Sequence, residues 1–132
     1  MARKTKELYN LLANEQKIMQ RIRCHDIVRV EDFDAVRMTV TAKPLVQREM
    51  AGTYVSPPPI LAVKVAYIPL EIKVDGKTAD VNVQIKKGDI GVVAYLDMDS
   101  DNSIQTGADS KPNTDRIHSG DDAVFVGVIR KG

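Results

Sequence analysis

The spacing of hydrophobic residues along the chain changes near residue 25. From about residue 5 to residue 23 the apolar side chains fall on one helical stripe, and Lys, Glu, Gln and Asn fill the opposite face. Glu15 interrupts the stripe near its middle, which argues against a coiled coil. The pattern predicts one amphipathic N-terminal helix, whose stripe consists of Leu8, Leu11, Leu12, Ile18, Met19 and Ile22.

Beyond residue 25 apolar and polar residues alternate in short runs, which is typical of half-buried β-strands. A turn at residues 31–34, a Pro-rich loop at residues 47–59 and the hairpin dipeptide Asp75-Gly76 separate these runs. A polar segment at residues 97–122 precedes the last run. Strands are therefore predicted at residues 27–30, 36–42, 61–67, 70–74, 81–85, 90–96 and 123–129.

Several short strands after a single helix predict a mainly β fold, a small OB-type barrel of five to six strands preceded by one N-terminal α-helix. Residues 1–25 are assigned to the helix and residues 26–132 to the OB-fold domain. A chain of 132 residues is long enough for one domain to bury its own core. The predicted barrel core consists of Val36, Val40, Val63, Val65, Val83, Val92, Val93, Val124 and Val126.

Composition argues against several classes of protein. The formal net charge is +1, whereas nucleic-acid-binding domains are usually strongly basic. The single cysteine, Cys24, excludes an intrachain disulfide and is expected to be a reduced, small hydrophobic residue. No apolar run is long enough to cross a membrane, and no apolar core of a signal peptide is evident at the N-terminus. We therefore expect a soluble protein made in a reducing compartment.

The charges are divided between two parts of the chain. Residues 1–30 carry seven basic and three acidic side chains, whereas residues 97–122 carry two basic and seven acidic ones. A basic helical end and an acidic loop end suit a molecule that contacts different partners at its two ends. The helix itself has two interpretations, since its stripe can dock on its own domain or on a partner subunit.

The polar segment presents carboxylates at alternate positions, Asp97, Asp99 and Asp101, as an EF-hand loop does for calcium. The match fails further along, because Asn102 stands in place of the glycine and Ala108 in place of the bidentate glutamate. Solvated loop carboxylates are the favoured interpretation. The three aspartates remain candidates for a weak cation site only.

No constellation of residues predicts catalysis. His25 and His118 are the only histidines and lie far apart in the chain, so a zinc or iron site is not expected. His118 is close to Ser119 and Asp121 in sequence, but such neighbours need not form a triad, and a structural histidine is the favoured interpretation. A glycine-rich phosphate loop is absent as well. The sequence predicts a protein that is not an enzyme and uses no cofactor.

Two segments in the second half of the chain resemble a known family. Lys87-Gly88-Asp89-Ile90-Gly91 is similar to a Lys/Pro-Gly-Asp turn that opens a strand, and Arg116-Ile117-His118-Ser119-Gly120-Asp121-Asp122-Ala123 to a segment that leads into the last strand. Both occur in the N-terminal OB domain of phage baseplate central spike proteins, the membrane-piercing tips of contractile tails. The residues that carry the motif are Gly88, Asp89, Arg116, His118, Asp121 and Asp122.

The resemblance implies a structural component of the baseplate of a phage or phage-tail-like particle. It implies a homotrimer on the tail axis that caps baseplate hub proteins, with Leu8, Leu11, Leu12, Ile18 and Ile22 docking the helix. The expected location is the virion tail, after synthesis in the host cytoplasm, with an indirect role in penetrating the host cell envelope. Family members continue into a β-helical needle that this sequence does not contain, so a separate needle or tip protein is a further expected partner.

A cellular OB module that binds single-stranded nucleic acid is the alternative function. Such modules stack bases on aromatic side chains above a basic groove. Phe33, Tyr67, Tyr95 and Phe125 lie in predicted strands or turns, but Phe125 is expected in the core and tryptophan is absent. Nucleic acid is therefore not an expected partner.

Overall fold

The backbone of the computed structural model is described for residues 2–21, 23–81 and 83–132. Side chains are described for residues 5–15, 23–79, 81 and 83–132. The longest helix in these ranges, α1 (Ala2–Arg21), coincides with the predicted amphipathic segment.

The apolar stripe of α1 is not covered by the barrel where its side chains are described. Leu8, Leu11 and Leu12 are 57%, 57% and 51% exposed. The other two predicted docking residues, Ile18 and Ile22, lie outside the described side chains. The described leucines are therefore not docked on the chain's own barrel.

Five strands form a closed barrel in the order β1-β2-β5-β9-β8, and β8 pairs back with β1. Neighbouring strands are antiparallel except for β5 and β9, which are parallel. A five-stranded barrel of this kind is OB-type, so the predicted fold class is confirmed. The strands are β1 (His25–Asp34), β2 (Thr39–Pro44), β3 (Arg48–Met50), β4 (Thr53–Val55), β5 (Ile60–Val65), β6 (Glu71–Val74), β7 (Lys77–Asp80), β8 (Ile90–Tyr95) and β9 (Ala123–Arg130).

Two small hairpins lie outside the barrel. The first pairs β3 with β4 inside the segment that was predicted to be an irregular loop. The second pairs β6 with β7 across the Asp75-Gly76 turn, as predicted. The partner strand is wrong, however, because β7 lies directly after the turn and not at the predicted residues 81–85. The polar connection between β8 and β9 contains the short helix α2 (Asp101–Thr106) and the 3-10 helix η1 (Gly120–Asp122).

The barrel core differs in part from the predicted one. Val40, Val63, Val65 and Val93 are buried as predicted. Val36 is 95% exposed, because β1 continues through the predicted turn and the chain reverses after Asp34 instead. Val83, Val92 and Val124 are only half-buried. The buried hydrophobic residues are Val28, Val30, Val40, Ala42, Val63, Val65, Val93, Tyr95, Ala123 and Phe125.

Strand β9 faces the core with Phe125, as expected for this residue, and not with Val124 and Val126, which were also predicted there. Phe125 is fully buried, whereas Val126 is 54% exposed. Gly91 on the neighbouring strand fixes this orientation, since a Cβ there would overlap the Phe125 ring and the carbonyl oxygen of Gly127. Phe125 is the largest of the fully buried side chains, and a phenylalanine ring removes more apolar area from water than a valine does. Cys24, expected to be a small hydrophobic residue, is a free and exposed thiol.

Candidate functional site

The polar connection between β8 and β9 is held by one arginine. Arg116 Nε donates to Asp122 Oδ2 at 2.7 Å, and its Nη2 donates to Asp122 Oδ1 at 2.8 Å. The same Nη2 lies 2.9 Å from Asp99 Oδ1 and 2.9 Å from Asp101 Oδ2. We call these four residues, Arg116, Asp99, Asp101 and Asp122, the Arg116 site.

Two of the three carboxylates in the Arg116 site are buried, with the side chains of Asp99 and Asp122 each 1% exposed. Their remaining oxygen positions also accept hydrogen bonds. Asp99 Oδ2 accepts from the Thr114 hydroxyl at 2.9 Å and from the Thr114 amide at 3.0 Å. Buried charges need such pairing, because a lone carboxylate in the interior is strongly disfavoured.

The pKa values in the Arg116 site follow these contacts. The hydrogen bond from Arg116 holds the pKa of the Asp122 carboxyl below its usual value. Burial raises the pKa of Asp99, but hydrogen bonds from the Asp101 amide and from Thr114 lower it by a larger amount. The pKa of Asp99 therefore lies below its usual value. Both carboxylates are therefore ionised at neutral pH, and the guanidinium offsets one of their two negative charges.

The candidate cation site takes a different form from the predicted one. The side chain of Asp97 is 88% exposed and lies 3.6 Å from His118 Nε2, away from the other two aspartates. Asp122 stands in its place, since ligand oxygens of Asp99, Asp101 and Asp122 lie within 4.8 Å of one another. The Arg116 guanidinium lies among those oxygens and supplies the positive charge there. The arrangement is that of an internal ion pair network.

The Gly88-Asp89 part of the motif forms the turn into β8. Gly88 has a φ of +95°, which favours glycine, and its amide donates to the Val30 carbonyl at 2.8 Å. Asp89 is buried, and its carboxylate accepts from the Lys86 amide at 2.9 Å and from the Gly132 amide at 3.1 Å. These two hydrogen bonds lower the pKa of Asp89. The turn is thereby joined to β1 and to residue 132.

The His118 segment is not arranged as a catalytic triad in the described part of the chain. The Ser119 hydroxyl accepts from the Asp121 amide at 3.2 Å and caps η1. His118 has a φ of +48° and places Nε2 near Asp97, while its buried Nδ1 has no hydrogen-bond partner among the described residues. The histidine thus faces the adjacent loop rather than the serine hydroxyl.

A second arginine cluster lies where the chain enters β1. Arg23 places its guanidinium carbon 5.8 Å from the centre of the Tyr95 ring. The Tyr95 hydroxyl donates to Asp26 Oδ2 at 2.6 Å, and Arg48 Nη2 lies 3.5 Å from the same oxygen. Burial and this hydrogen bond raise the pKa of the Tyr95 hydroxyl, which stays protonated at neutral pH.

Arg23, Asp26 and Arg48 line a cleft of about 330 Å³, which we call the Arg23–Arg48 cleft. Its other walls come from the proline run at residues 57–59 and from Gly120 and Asp121. Proline has no amide donor, so this wall offers a ligand apolar rings and no N–H group. The ammonium group of Lys43 donates to the Pro57 carbonyl.

A larger, apolar groove of about 600 Å³ lies beside β9, lined by residues 65–70, 81, 83–85 and 125–128. Tyr67, one of the aromatic residues considered for base stacking, is 58% exposed and lines this groove. Tyr95 and Phe125 are buried in the barrel core, and Phe33 packs against it. Three of the four aromatic residues therefore contribute to packing.

No protein-family model matches the chain, and no curated protein matches it. The helix α1 lacks the apolar length needed to cross a lipid bilayer, and so does the other helix within the described ranges.

The residues of the Arg116 site were predicted as two separate groups, with no contact expected between them. Arg116 and Asp122 were motif residues, whereas Asp99 and Asp101 were cation candidates. The Arg23–Arg48 cleft was missed altogether. Its parts come from the end of the helical segment, from β1, from a segment predicted to be a loop and from β8, and only the pairing of β1 with β8 brings Asp26 beside Tyr95.

Proposed function

We propose that this chain is a structural OB-fold protein of the baseplate of a phage or phage-tail-like particle. It caps the tail hub as a homotrimer and serves tail assembly and penetration of the host envelope. The chain carries no catalytic role in this proposal.

The uncovered leucine stripe of α1 is the observation that supports this proposal most directly. Leu8, Leu11 and Leu12 are each more than half exposed, although each buried leucine is worth roughly 1.5–3 kcal/mol. Contiguous exposed apolar residues usually mark a surface that meets another protein. The basic Lys6 on the same helix suits an acidic partner surface.

The motif residues support the same proposal through the loops that they hold. Gly88 and Asp89 fix the turn into β8, and Arg116 fixes the connection to β9 through Asp122. Side chains that hold loops on a barrel suit a protein whose task is to present a defined surface.

Fractionation of phage or tail-like particles tests the proposed location. The chain should co-purify with tails, and its absence from purified particles would refute the proposal. The double variant Leu11→Asp with Leu12→Asp should remain folded, because the buried core lies in the barrel strands, but should fail to enter particles. A matched control, Asn10→Asp with Asn14→Asp, adds the same charge to exposed polar positions of α1 and should assemble normally.

Sedimentation of the purified chain tests the trimer. A trimer whose population grows with protein concentration supports the proposal, and a stable dimer with no trimer at any concentration contradicts it.

Titration with single-stranded oligonucleotides at low salt tests the alternative function. Saturable binding that weakens as salt rises would favour the nucleic-acid module instead.

A further inference from the structure

The Arg23–Arg48 cleft contains two guanidinium groups whose hydrogen-bonding capacity is unused by the described residues. A guanidinium has five N–H donors in a planar fork. Arg48 approaches Asp26 at 3.5 Å, which is longer than the usual 2.7–3.2 Å of an N–H···O bond. Arg23 lies over the Tyr95 ring and forms no ion pair with a described carboxylate. Both groups are therefore held in place while their donors remain available.

The single carboxylate near both arginines is already engaged. Asp26 Oδ2 accepts the Tyr95 hydroxyl at 2.6 Å, and its side chain is 16% exposed. The third nearby cation, Lys43, donates to the Pro57 carbonyl in the wall. Among the described side chains that line the cleft, only those of Arg23 and Arg48 carry N–H donors. Asp121 also lines the cleft and is, with Asp26, one of the two acidic side chains among these described residues.

We infer that the Arg23–Arg48 cleft binds an oxyanion, either a free phosphate or the carboxylate of an acidic peptide segment. Both ligands present paired oxygens that match the planar donors of a guanidinium. The cation–π contact with Tyr95 keeps the Arg23 group in position before the ligand arrives, which limits the entropy lost on binding. This inference is independent of the proposed tail function, because it rests on the cleft alone.

Isothermal titration of the full chain at low ionic strength tests the inference with two probes, inorganic phosphate and a hexaglutamate peptide. Saturable one-site binding of either probe is expected. Arg23→Gln and Arg48→Gln should each weaken the Kd of that probe at least about 10-fold, since each removes charge-assisted hydrogen bonds. Asp121→Asn should tighten it about 2- to 5-fold by removing a like charge from the wall. Arg37→Gln, which alters an arginine 82% exposed outside the cleft, should bind as the wild type does.

The two probes distinguish the source of the oxyanion. Binding of phosphate alone assigns the cleft to a free anion, binding of the peptide alone assigns it to a partner's carboxylates, and competition between them shows one shared site. The side-chain Nε–Hε signals of Arg23 and Arg48 should shift in nitrogen–proton correlation spectra, and that of Arg37 should not. Absence of saturable binding for both probes, or equal weakening in the Arg37→Gln control, overturns the inference.

Discussion

The Arg116 site and the Arg23–Arg48 cleft use the same side chain in opposite ways. Arg116 donates to three carboxylates at 2.7–2.9 Å, and two of those carboxylates are 1% exposed. In the cleft, two guanidinium groups share the neighbourhood of one aspartate, which already accepts a tyrosine hydroxyl. The first site is saturated by its own chain, and the second is not.

The difference shows what decides the role of a buried or half-buried arginine. Burial of Asp99 and Asp122 makes the Arg116 charge necessary for folding, because removing it leaves uncompensated carboxylates in the interior. Arg23 and Arg48 border an open cleft, and the Asp26 carboxylate beside Arg48 is less deeply buried than Asp99 or Asp122. We therefore expect the first site to govern stability and the second to govern binding.

The largest expected effect is the loss of thermal stability when Arg116 is replaced, which distinguishes the Arg116 site from the Arg23–Arg48 cleft. Arg116→Ala should lower the Tm by on the order of 10 °C, because Asp99 and Asp122 lose their buried counterion. Arg116→Lys should recover only part of this loss, since an ammonium group cannot reproduce the planar fork. Thermal unfolding followed by circular dichroism measures both. Arg37→Ala, at an exposed ion pair, is the control, and an Arg116→Ala protein as stable as that control would contradict the assignment.

The next largest effect is the pH dependence of the Tm of the wild-type chain. The pKa of Asp122 is lower in the folded chain than in the unfolded one, so its contribution to stability is complete above the unfolded pKa of about 3.9. It is lost as the pH falls through the folded pKa. The wild-type Tm should therefore stay level from pH 7 to about 5 and fall below about 4.

The Tm of the Arg116→Ala variant should instead rise as the pH falls from 7 to 5. Without the guanidinium, burial and the nearby Asp99 charge raise the pKa of Asp122, and protonation of Asp122 then removes an uncompensated buried charge. The Tm difference between the two proteins should narrow as the pH falls. A constant difference across that range would mean that the buried carboxylates do not cause the loss.

A smaller effect is expected for the hydrogen bond between Tyr95 and Asp26. Tyr95→Phe removes the hydroxyl that donates to Asp26 and should cost about 1 kcal/mol in the free energy of unfolding. Urea denaturation measures this change. Tyr67→Phe is the matched control, because that ring is 58% exposed and should lose almost nothing. Equal losses in the two variants would show that the Asp26 hydrogen bond contributes no special stability.

The smallest expected effect is the change in Tm when either arginine of the Arg23–Arg48 cleft is replaced. Arg23→Gln and Arg48→Gln should change the Tm by no more than about 2 °C without ligand, since neither guanidinium donates to a described residue. Thermal unfolding without ligand checks this. A fall as large as that of Arg116→Ala would make the cleft arginines structural and remove the contrast between the two sites.

The fold was predictable where one side-chain property dominates. The helical stripe, the Asp75-Gly76 turn and the apolar run of β8 correspond to α1, the β6–β7 hairpin and a barrel strand. The face of β9 was not predictable from alternation, because both sets of alternate residues in that strand are apolar. The fit of Phe125 over Gly91 decides between them, and this contact appears only when β8 and β9 pair.

The residues of the Arg116 site were predictable from the sequence, but the contacts among them were not, and the Arg23–Arg48 cleft was not predicted at all. Alternation placed Asp97 with Asp99, but the short helix α2 and the return of the chain through η1 bring Asp122 into the cluster and leave Asp97 in solvent. Arg48 joins Asp26 only because β3 follows β2, which is paired with β1. Such contacts depend on register and loop shape, for which one sequence gives no direct measure.

The closure of the barrel also sets the order in which the chain can acquire its structure. The β6–β7 hairpin joins residues close in sequence and can form within microseconds, whereas β1 must find β8 across most of the domain. The pairing of β5 and β9 is parallel and cannot form until β9 has been synthesised. A nascent chain that lacks β9 keeps Val63, Val65 and Val93 without the Phe125 ring that covers them. The growing chain therefore depends on protection from aggregation until its last barrel strand leaves the ribosome.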